Sequence, residues 1–356
     1  MKILGIESSC DETAAAVVEN GVRMMSNVVS SQVDDFAKYG GVIPEIAARS
    51  HIEVILPVIE KALKEAETSW DEIDGIGVTY APGLIGSLLM GVLTARTLAH
   101  EMRKPLYAVH HVEAHVYANF LLHDKLGRPL PLDGDGKSVE NPTEPAFPVL
   151  ALIVSGGHTQ LALFHNHGNY VLLGQAQDDA VGEAFDKVAK VIGLPYPGGV
   201  SISKLAPSGN ATAFSFPKAH LSCPPHCPHD INRTLTEADI ETGRIIRGGR
   251  GEVFLRDRCH KYDFSFSGVK TAVLRAVQHA CSVAYDFPSH ELPERVSDSL
   301  RADVAASFQR VAVETLVEKT VLAYEQYAPG SVVIAGGVAA NKELRRQLAD
   351  TLPVPI

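Results

Sequence analysis

Short apolar runs separated by polar turns open the chain. Residues 2–6 form the first run and the Ala- and Val-rich residues 13–18 the second, with the polar turn ESSCDE between them. Residues 22–29 alternate loosely, so the start predicts an antiparallel three-strand meander. Helical spacing takes over at residues 45–64, where Ile46, Ile52, Val54, Ile55, Val58, Ile59 and Leu63 recur near every 3.6 positions. A strand is predicted at 73–78 and a buried helix from the apolar run after Pro82. Another strand at 106–109 leads directly into a helix that carries histidines.

From about 122 to 147 the sequence turns to Gly, Pro, Asp and Asn without apolar periodicity, which predicts a linker. The chain beyond it repeats the opening: strands at 149–154, 160–164 and 170–174, with the polar turn SGGHT between the first two, then a helix from Ala180. Helices are predicted at 267–282, 297–326 and 342–352, and a strand at 331–335 that ends in GGVAAN. The twice-used order of meander and helix predicts an α/β protein of the actin-like ATPase type, as in Hsp70 and sugar kinases, with two duplicated lobes, each a mixed sheet flanked by helices. The expected lobes are 1–146 and 147–356, the second interrupted by an irregular insertion at about 221–262.

At 356 residues the chain exceeds one ordinary core, in keeping with two lobes. The apolar run that opens the chain is broken by Glu7 and Asp11, unlike a secretory signal, and the longest apolar stretch holds Pro82, Gly83, Gly86 and Gly91 and ends at Arg96. Five cysteines, an odd number, make a disulfide framework an unsuitable reading. A cytoplasmic protein without membrane attachment is expected. The net charge of -10 excludes nonspecific coating of nucleic acid. A nucleic-acid partner would need a local basic surface, for which Arg244, Arg247, Arg250, Arg256 and Arg258 are candidates, a solvated loop being the alternative.

Several groups could carry chemistry. Ser155, Gly156 and Gly157 form a turn whose small residues let backbone amides approach a phosphoryl oxygen, and Gly336 and Gly337 open a second such turn that runs to Asn341. In HHVEAH, His111 and His115 stand four apart on one helical face, where both rings can reach one metal ion or simply line a surface. Glu113 sits midway between them, so the H-E-x-x-H arrangement of zinc peptidases is not met. Carboxylates gather near the turns: Glu7, Asp11, Glu12, Asp178, Asp179, Glu183 and Asp186. Asp178 and Asp179 are placed to cap the helix from Ala180, whereas Asp186 lies inside it, which excludes capping there and favours a ligand role. Cys223, His226, Cys227, His229, Cys259 and His260 offer either a zinc knuckle or an ordinary loop with reduced thiols.

Nine segments in order, IESSCDET, YGGVIPEIAAR, APGLIGSLLMG, HHVEAH, VSGGHTQL, GEAFDKVAK, YPGG, FSFSGVKT and AGGVAANKELR, closely resemble the TsaD family, once described as O-sialoglycoprotein endopeptidases. The resemblance implies transfer of a threonylcarbamoyl group from threonylcarbamoyl-AMP to N6 of adenosine 37 in tRNAs reading codons that begin with A. It implies tRNA, a TsaB-like paralogous subunit and a TsaE-like small ATPase as partners, and SGGH points to the bacterial or organellar type. Carried over by position, His111 and His115 resemble ligands of one divalent metal, iron(II) ahead of zinc(II). Ile153, Val154, Ser155, Gly156, Gly157, Asp186, Gly199 and Asn341 resemble the adenylate site, which ATP or ADP could also occupy. Asp11 and Glu12 match the acidic pair beside the transferred group.

Family members carry a further C-T-D-N motif whose Asp is a third metal ligand, and it does not occur in this sequence, so the chain is expected to be a fragment. The insertion at 221–262 is longer than the usual loop, and its arginines are expected to touch tRNA. A non-catalytic scaffold of the same fold, a metallopeptidase and a sugar or acetate kinase are the rival readings. Intact HHVEAH and VSGGH disfavour the scaffold, the missing H-E-x-x-H the peptidase, and the want of a sugar-binding signature the kinase.

Overall fold

The structure, a computed structural model, describes residues 1–37, 39–121, 144–219, 221, 245–247, 253–255 and 260–354. It divides into two compact units, Met1–Glu144 and Pro145–Ile356.

In the first unit, β1 (Lys2–Glu7), β2 (Glu12–Glu19) and β3 (Arg23–Ser31) make the expected meander. The turn between β2 and β3 is the pair Asn20 and Gly21, at φ 52° and 79°. Positive φ at two successive positions suits a tight hairpin turn, and Asn and Gly tolerate it best. After the short α1 (Val33–Ala37) comes α2 (Pro44–Glu65), which starts on a proline whose missing N–H would lack a partner in the first turn anyway. Next come β4 (Gly75–Ala81), α3 (Ile85–Glu101), β5 (Leu106–His110) and α4 (His111–Tyr117). The strand order is β3-β2-β1-β4-β5, with β4 parallel to β1 and β5 parallel to β4. Leu4, Ile6, Ala15 and Val17 on the sheet pack in one core with Ile55, Val58, Ile59, Ala62 and Leu63 of α2.

The helix expected to be buried, α3, is only half so. It turns small residues inward, Ser87, Gly91, Ala95 and Ala99, and leaves Ile85, Leu89 and Leu93 exposed. Small inward residues bring its backbone close to the sheet, and the larger side chains fall outside.

The second unit repeats the plan. It contains β6 (Val149–Val154), β7 (Thr159–Asn166), β8 (Asn169–Gln175), α5 (Val181–Val191) and α6 (Gly198–Leu205). A small antiparallel pair, β9 (Ile245–Arg247) and β10 (Val253–Leu255), precedes α7 (Ser267–Ala280), α8 (Asp298–Tyr327), β11 (Ser331–Ala335) and α9 (Lys342–Thr351). The main sheet runs β11-β6-β7-β8 with β11 parallel to β6. This reproduces β4-β1-β2-β3 of the first unit, so the duplication of pattern seen in the sequence is a duplication of topology. Every residue of β6 is buried. The long α8 buries residues around its whole circumference, from Ala302 through Phe308 to Ala323, which is why no apolar stripe marks it.

Of the insertion at 221–262, Cys223, His226, Cys227, His229 and Cys259, with Arg244, Arg250, Arg256 and Arg258, lie outside the described residues, as does the side chain of Arg247. Among the described residues no helix is long and apolar enough to cross a membrane.

Candidate functional site

The chemistry-bearing residues form one group in each unit. In the first, β1 ends at Glu7 and the chain turns through Ser8, Ser9, Cys10 and Asp11 before Glu12 begins β2. α4 starts directly at the end of β5, so its first residue, His111, stands near the end of the neighbouring strands. His111 Nδ1 is 3.2 Å from Ser9 Oγ and 3.5 Å from Glu7 Oε2. Burial by itself would raise the Glu7 carboxyl, yet hydrogen bonds from His111, Ser9 and Thr79 hold it down at about 2. Glu7 is therefore ionised. With Nδ1–H turned to that carboxylate, His111 keeps the lone pair on Nε2.

His115 lies one helical turn on, its ring 4.6 Å from that of His111 and nearly perpendicular to it. Its Nε2 is buried and has no hydrogen-bond partner among the described residues. Burial above all pushes its pKa down to about 4, so the ring is neutral at pH 7. A neutral imidazole with an unsatisfied buried nitrogen next to a second imidazole fits two ligands of a metal ion. Among the described residues no third His, Cys, Asp or Glu completes a set.

Asp11 and Glu12 lie at the far end of the turn. Asp11 is 8% exposed. The Glu12 carboxyl is pushed up to about 7, first by burial and then by the charge of Asp11 beside it. A carboxylate that exchanges its proton near neutrality can accept one from an attacking amine. Burial and the same two acidic neighbours raise the Cys10 thiol to about 12, which rules it out as a thiolate nucleophile at neutral pH.

In the second unit the adjacent parallel strands β6 and β11 each end in a glycine turn at the same edge of the sheet, where open α/β sheets bind ligands. The Ser155 turn closes on itself: Ser155 N donates to His158 O at 2.8 Å, and His158 N to Ser155 Oγ at 3.0 Å. Among the described residues Gly156 and Gly157 have nothing within 4 Å of where a Cβ would stand, and the same holds for Gly337. No contact among the described residues explains the want of a side chain there. Gly182 is different, because a Cβ on it would lie 2.5 Å from Ser155 O. Gly336, at φ 90°, abuts Val154 O. The side chains of Ile153 and Val154 are buried in the core, so only their backbone can face a ligand.

Asp186 Oδ1 accepts from Gly198 N at 2.7 Å. It thus caps α6, twelve residues on, although its place inside α5 excludes capping of its own helix. Gly199 carries ordinary spacing, the nearest atom being Phe185 Cβ at 3.9 Å from a would-be Cβ. Asn341 is buried; its Oδ1 accepts from the amides of Glu343 and Leu344, and its Nδ2 donates to Ser203 Oγ and Gln309 Oε1, each at 3.0 Å. Asp178 caps a helix, but not the one from Ala180: it accepts from Phe266 N at 2.8 Å and from the hydroxyls of Ser265 and Ser267 at the start of α7. The Val181 amide is satisfied by Thr159 Oγ1 at 2.8 Å, and Asp179 pairs with Lys187 and Lys270.

In the sequence Glu7 is one carboxylate among seven, with nothing to tie it to a histidine. Gly182 carries no local signal either, since its steric role depends on Ser155, in a loop far earlier in the chain.

The family model described as "TsaD: tRNA N6-adenosine threonylcarbamoyltransferase" matches residues 23–355. A tRNA N6-adenosine threonylcarbamoyltransferase of Symbiobacterium thermophilum is 45% identical over 350 residues, covering 98% of this chain and 82% of that relative. The corresponding protein of Thermomicrobium roseum is 44% identical over 363 residues, with 100% and 86% covered. Among solved structures, full-length HypF in its phosphate- and nucleotide-bound form aligns over 98% of this chain and 50% of its own, with a TM-score of 0.51 at 11% identity, a likeness of fold alone.

Proposed function

The chain belongs to the TsaD family of tRNA N6-adenosine threonylcarbamoyltransferases, and we propose that it moves the threonylcarbamoyl group of threonylcarbamoyl-AMP onto N6 of adenosine 37 in tRNAs reading codons that begin with A. The observation that carries this reading is the acidic pair Asp11 and Glu12, with Glu12 titrating near 7 in the same unit as two convergent imidazoles. In the reaction a bond forms between N6 and the carbamoyl carbon, the bond from that carbon to the phosphate oxygen breaks, and AMP leaves. The amine loses one proton, and the raised proton affinity of Glu12 supports reading it as the acceptor. Burial, and after it the neighbouring Asp11 charge, keeps the Glu12 proton affinity high enough for that role.

His111 and His115 would hold a divalent metal, with Glu7 behind His111 fixing its ring. Bound there, the metal supplies Lewis-acid polarisation of the group being transferred. In the second unit the Ser155 to Gly157 turn and Gly337 offer backbone with open space in front of it among the described residues, suited to an adenylate phosphate and ribose. Asp186 and Asn341 shape that region by capping α6 and α9. Holding both substrates in reacting geometry supplies much of the rate.

A TsaB-like paralogous subunit and a TsaE-like small ATPase belong to the same proposal. Ile52 and Leu56 of α2 and Ile85, Leu89 and Leu93 of α3 are exposed on the first unit, apolar side chains suited to a protein partner. The test is incorporation of labelled threonine into tRNA by this protein with its partners, ATP and bicarbonate. Incorporation that His111→Ala abolishes supports the reading, and no incorporation by the wild-type protein overturns it.

A further inference from the structure

The turn that presents Asp11 and Glu12 is held from outside, carbonyl by carbonyl. Ser9 O accepts from Leu84 N at 2.7 Å, and Asp11 O from Gln32 N at 3.0 Å. Between them, Cys10 O accepts two bonds, one from Ser87 Oγ at 3.1 Å and one from His51 Nε2 at 3.1 Å. Ser8 Oγ donates to Ser87 O at 2.8 Å and accepts from Gly91 N at 3.1 Å. Helices α2 and α3 therefore supply a socket for the turn.

His51 occupies a particular place in that socket. It is wholly buried on α2, in the periodic face that packs on the sheet, and a single histidine there would pass for a core residue. Both ring nitrogens are nevertheless engaged with the acidic hairpin. Nε2 faces Cys10 O, and Nδ1 lies 2.7 Å from Thr13 Oγ1, itself wholly buried. A carbonyl only accepts, so Nε2 carries the proton. In a neutral ring Nδ1 then accepts from the Thr13 hydroxyl. Burial favours that neutral ring, holding its pKa below the ordinary histidine value.

The two atoms gripped by this one ring belong to residues 10 and 13, immediately before and after the acidic pair. We infer that His51 is a positioning residue for the transferase reaction: a neutral, single-tautomer clamp that holds the Cys10 carbonyl on one side of Asp11 and Glu12 and the Thr13 side chain on the other, and so sets where their carboxylates stand. The inference rests on the transferase reading for what those carboxylates do. It differs from a purely packing role because the bond to Cys10 O and the bond to Thr13 can be removed separately, with different geometric consequences.

Two measurements test it. In the wild-type protein, 15N NMR of the ring should show a pyrrole-like Nε2 and a pyridine-like Nδ1 for His51 across pH 6–8. A charged ring, or the opposite tautomer, overturns the clamp without any variant having to fold. In the threonine-incorporation assay with the partner proteins, His51→Gln can keep a donor near Cys10 O, while His51→Asn can reach only Thr13. The expected result is that kcat falls about 10- to 100-fold in His51→Asn with KM for tRNA unchanged, as a displaced catalytic group produces, and that His51→Gln recovers much of the loss. Loss in both variants that merely follows the folded fraction, or an unchanged kcat in His51→Asn, overturns the inference. Failure of the wild-type protein to modify tRNA would instead sink the transferase reading.

Discussion

Glu7 Oε2 stands 3.5 Å from His111 Nδ1, joining the last residue of β1 to the first residue of α4. The ionised carboxylate fixes which nitrogen of His111 carries the proton, and with it the direction of the lone pair on the other. Glu7→Gln keeps the size of the side chain but removes the charge. Affinity for a divalent metal should fall about 10- to 100-fold, as expected for the outer partner of a ligating histidine. Competition with a chelator measures it, and unchanged affinity would refute the pairing.

His115 has a buried nitrogen with no partner among the described residues. Such an atom costs about 1–3 kcal/mol relative to an apolar replacement of similar shape. In metal-free protein, His115→Leu should therefore unfold at the same temperature as wild type or higher, while tRNA modification is lost. Thermal unfolding in chelator decides the matter. Marked destabilisation would mean that the ring is held by contacts other than a metal.

Glu12 combines an activity prediction with a stability prediction. Its carboxyl sits at about 7 in the folded protein against an ordinary 4.5. Between those values the folded state keeps a proton that the unfolded state has released, so this group's contribution to stability declines as pH rises from 4.5 to 7. Glu12→Gln should stabilise the protein above pH 7 by on the order of 1–2 kcal/mol, discounted for the solvent the carboxylate retains. The gain should fade toward pH 4.5. The wild-type transfer rate should rise with pH through about 7, and the variant should lack that rise. A variant profile that keeps the same midpoint would assign the proton acceptor elsewhere.

The glycines of the second unit separate space from strain. Gly157→Ala adds a methyl group where nothing lies within 4 Å, so melting should be unchanged while affinity for an adenylate analogue falls about tenfold. Gly182→Ala pushes on Ser155 O and should cost about 1–3 kcal/mol as well as binding. Equilibrium binding beside a melting curve reads both, and full affinity in Gly157→Ala would place the nucleotide somewhere else.

Much of the fold is legible in the sequence because its signals are local. β6 at Val149–Val154 and β11 at Ser331–Ala335 are uninterrupted apolar runs bounded by polar or glycine turns, and their observed ends coincide with the expected ones. α6 escapes sequence reasoning because it opens on two glycines and draws its cap from Asp186, outside its own sequence. The expectation that α3 is a buried helix fails on its outer face for a related reason. Periodicity ranks large apolar residues as buried, but here close approach to the Ser8 turn selects Ser87 and Gly91. Asp178 illustrates the same limit: its position before α5 suggests the nearest helix, while its bonds go to Phe266 and Ser267 at α7. The two candidate ligating histidines can be read from their i,i+4 spacing, but the unsatisfied Nε2 of His115 exists only once α4 is packed.

The grip of α2 and α3 on the Ser8 to Asp11 turn bears on how this hairpin could be transplanted. Its seven-letter core, ESSCDET, reads as a portable cassette, yet its shape is encoded at Gln32, His51, Leu84, Ser87 and Gly91 as well. A chimera that imports the hairpin without those sockets should fold into the same sheet and present its two carboxylates at the wrong angle. The smallest exchangeable piece is accordingly the first ninety or so residues taken together.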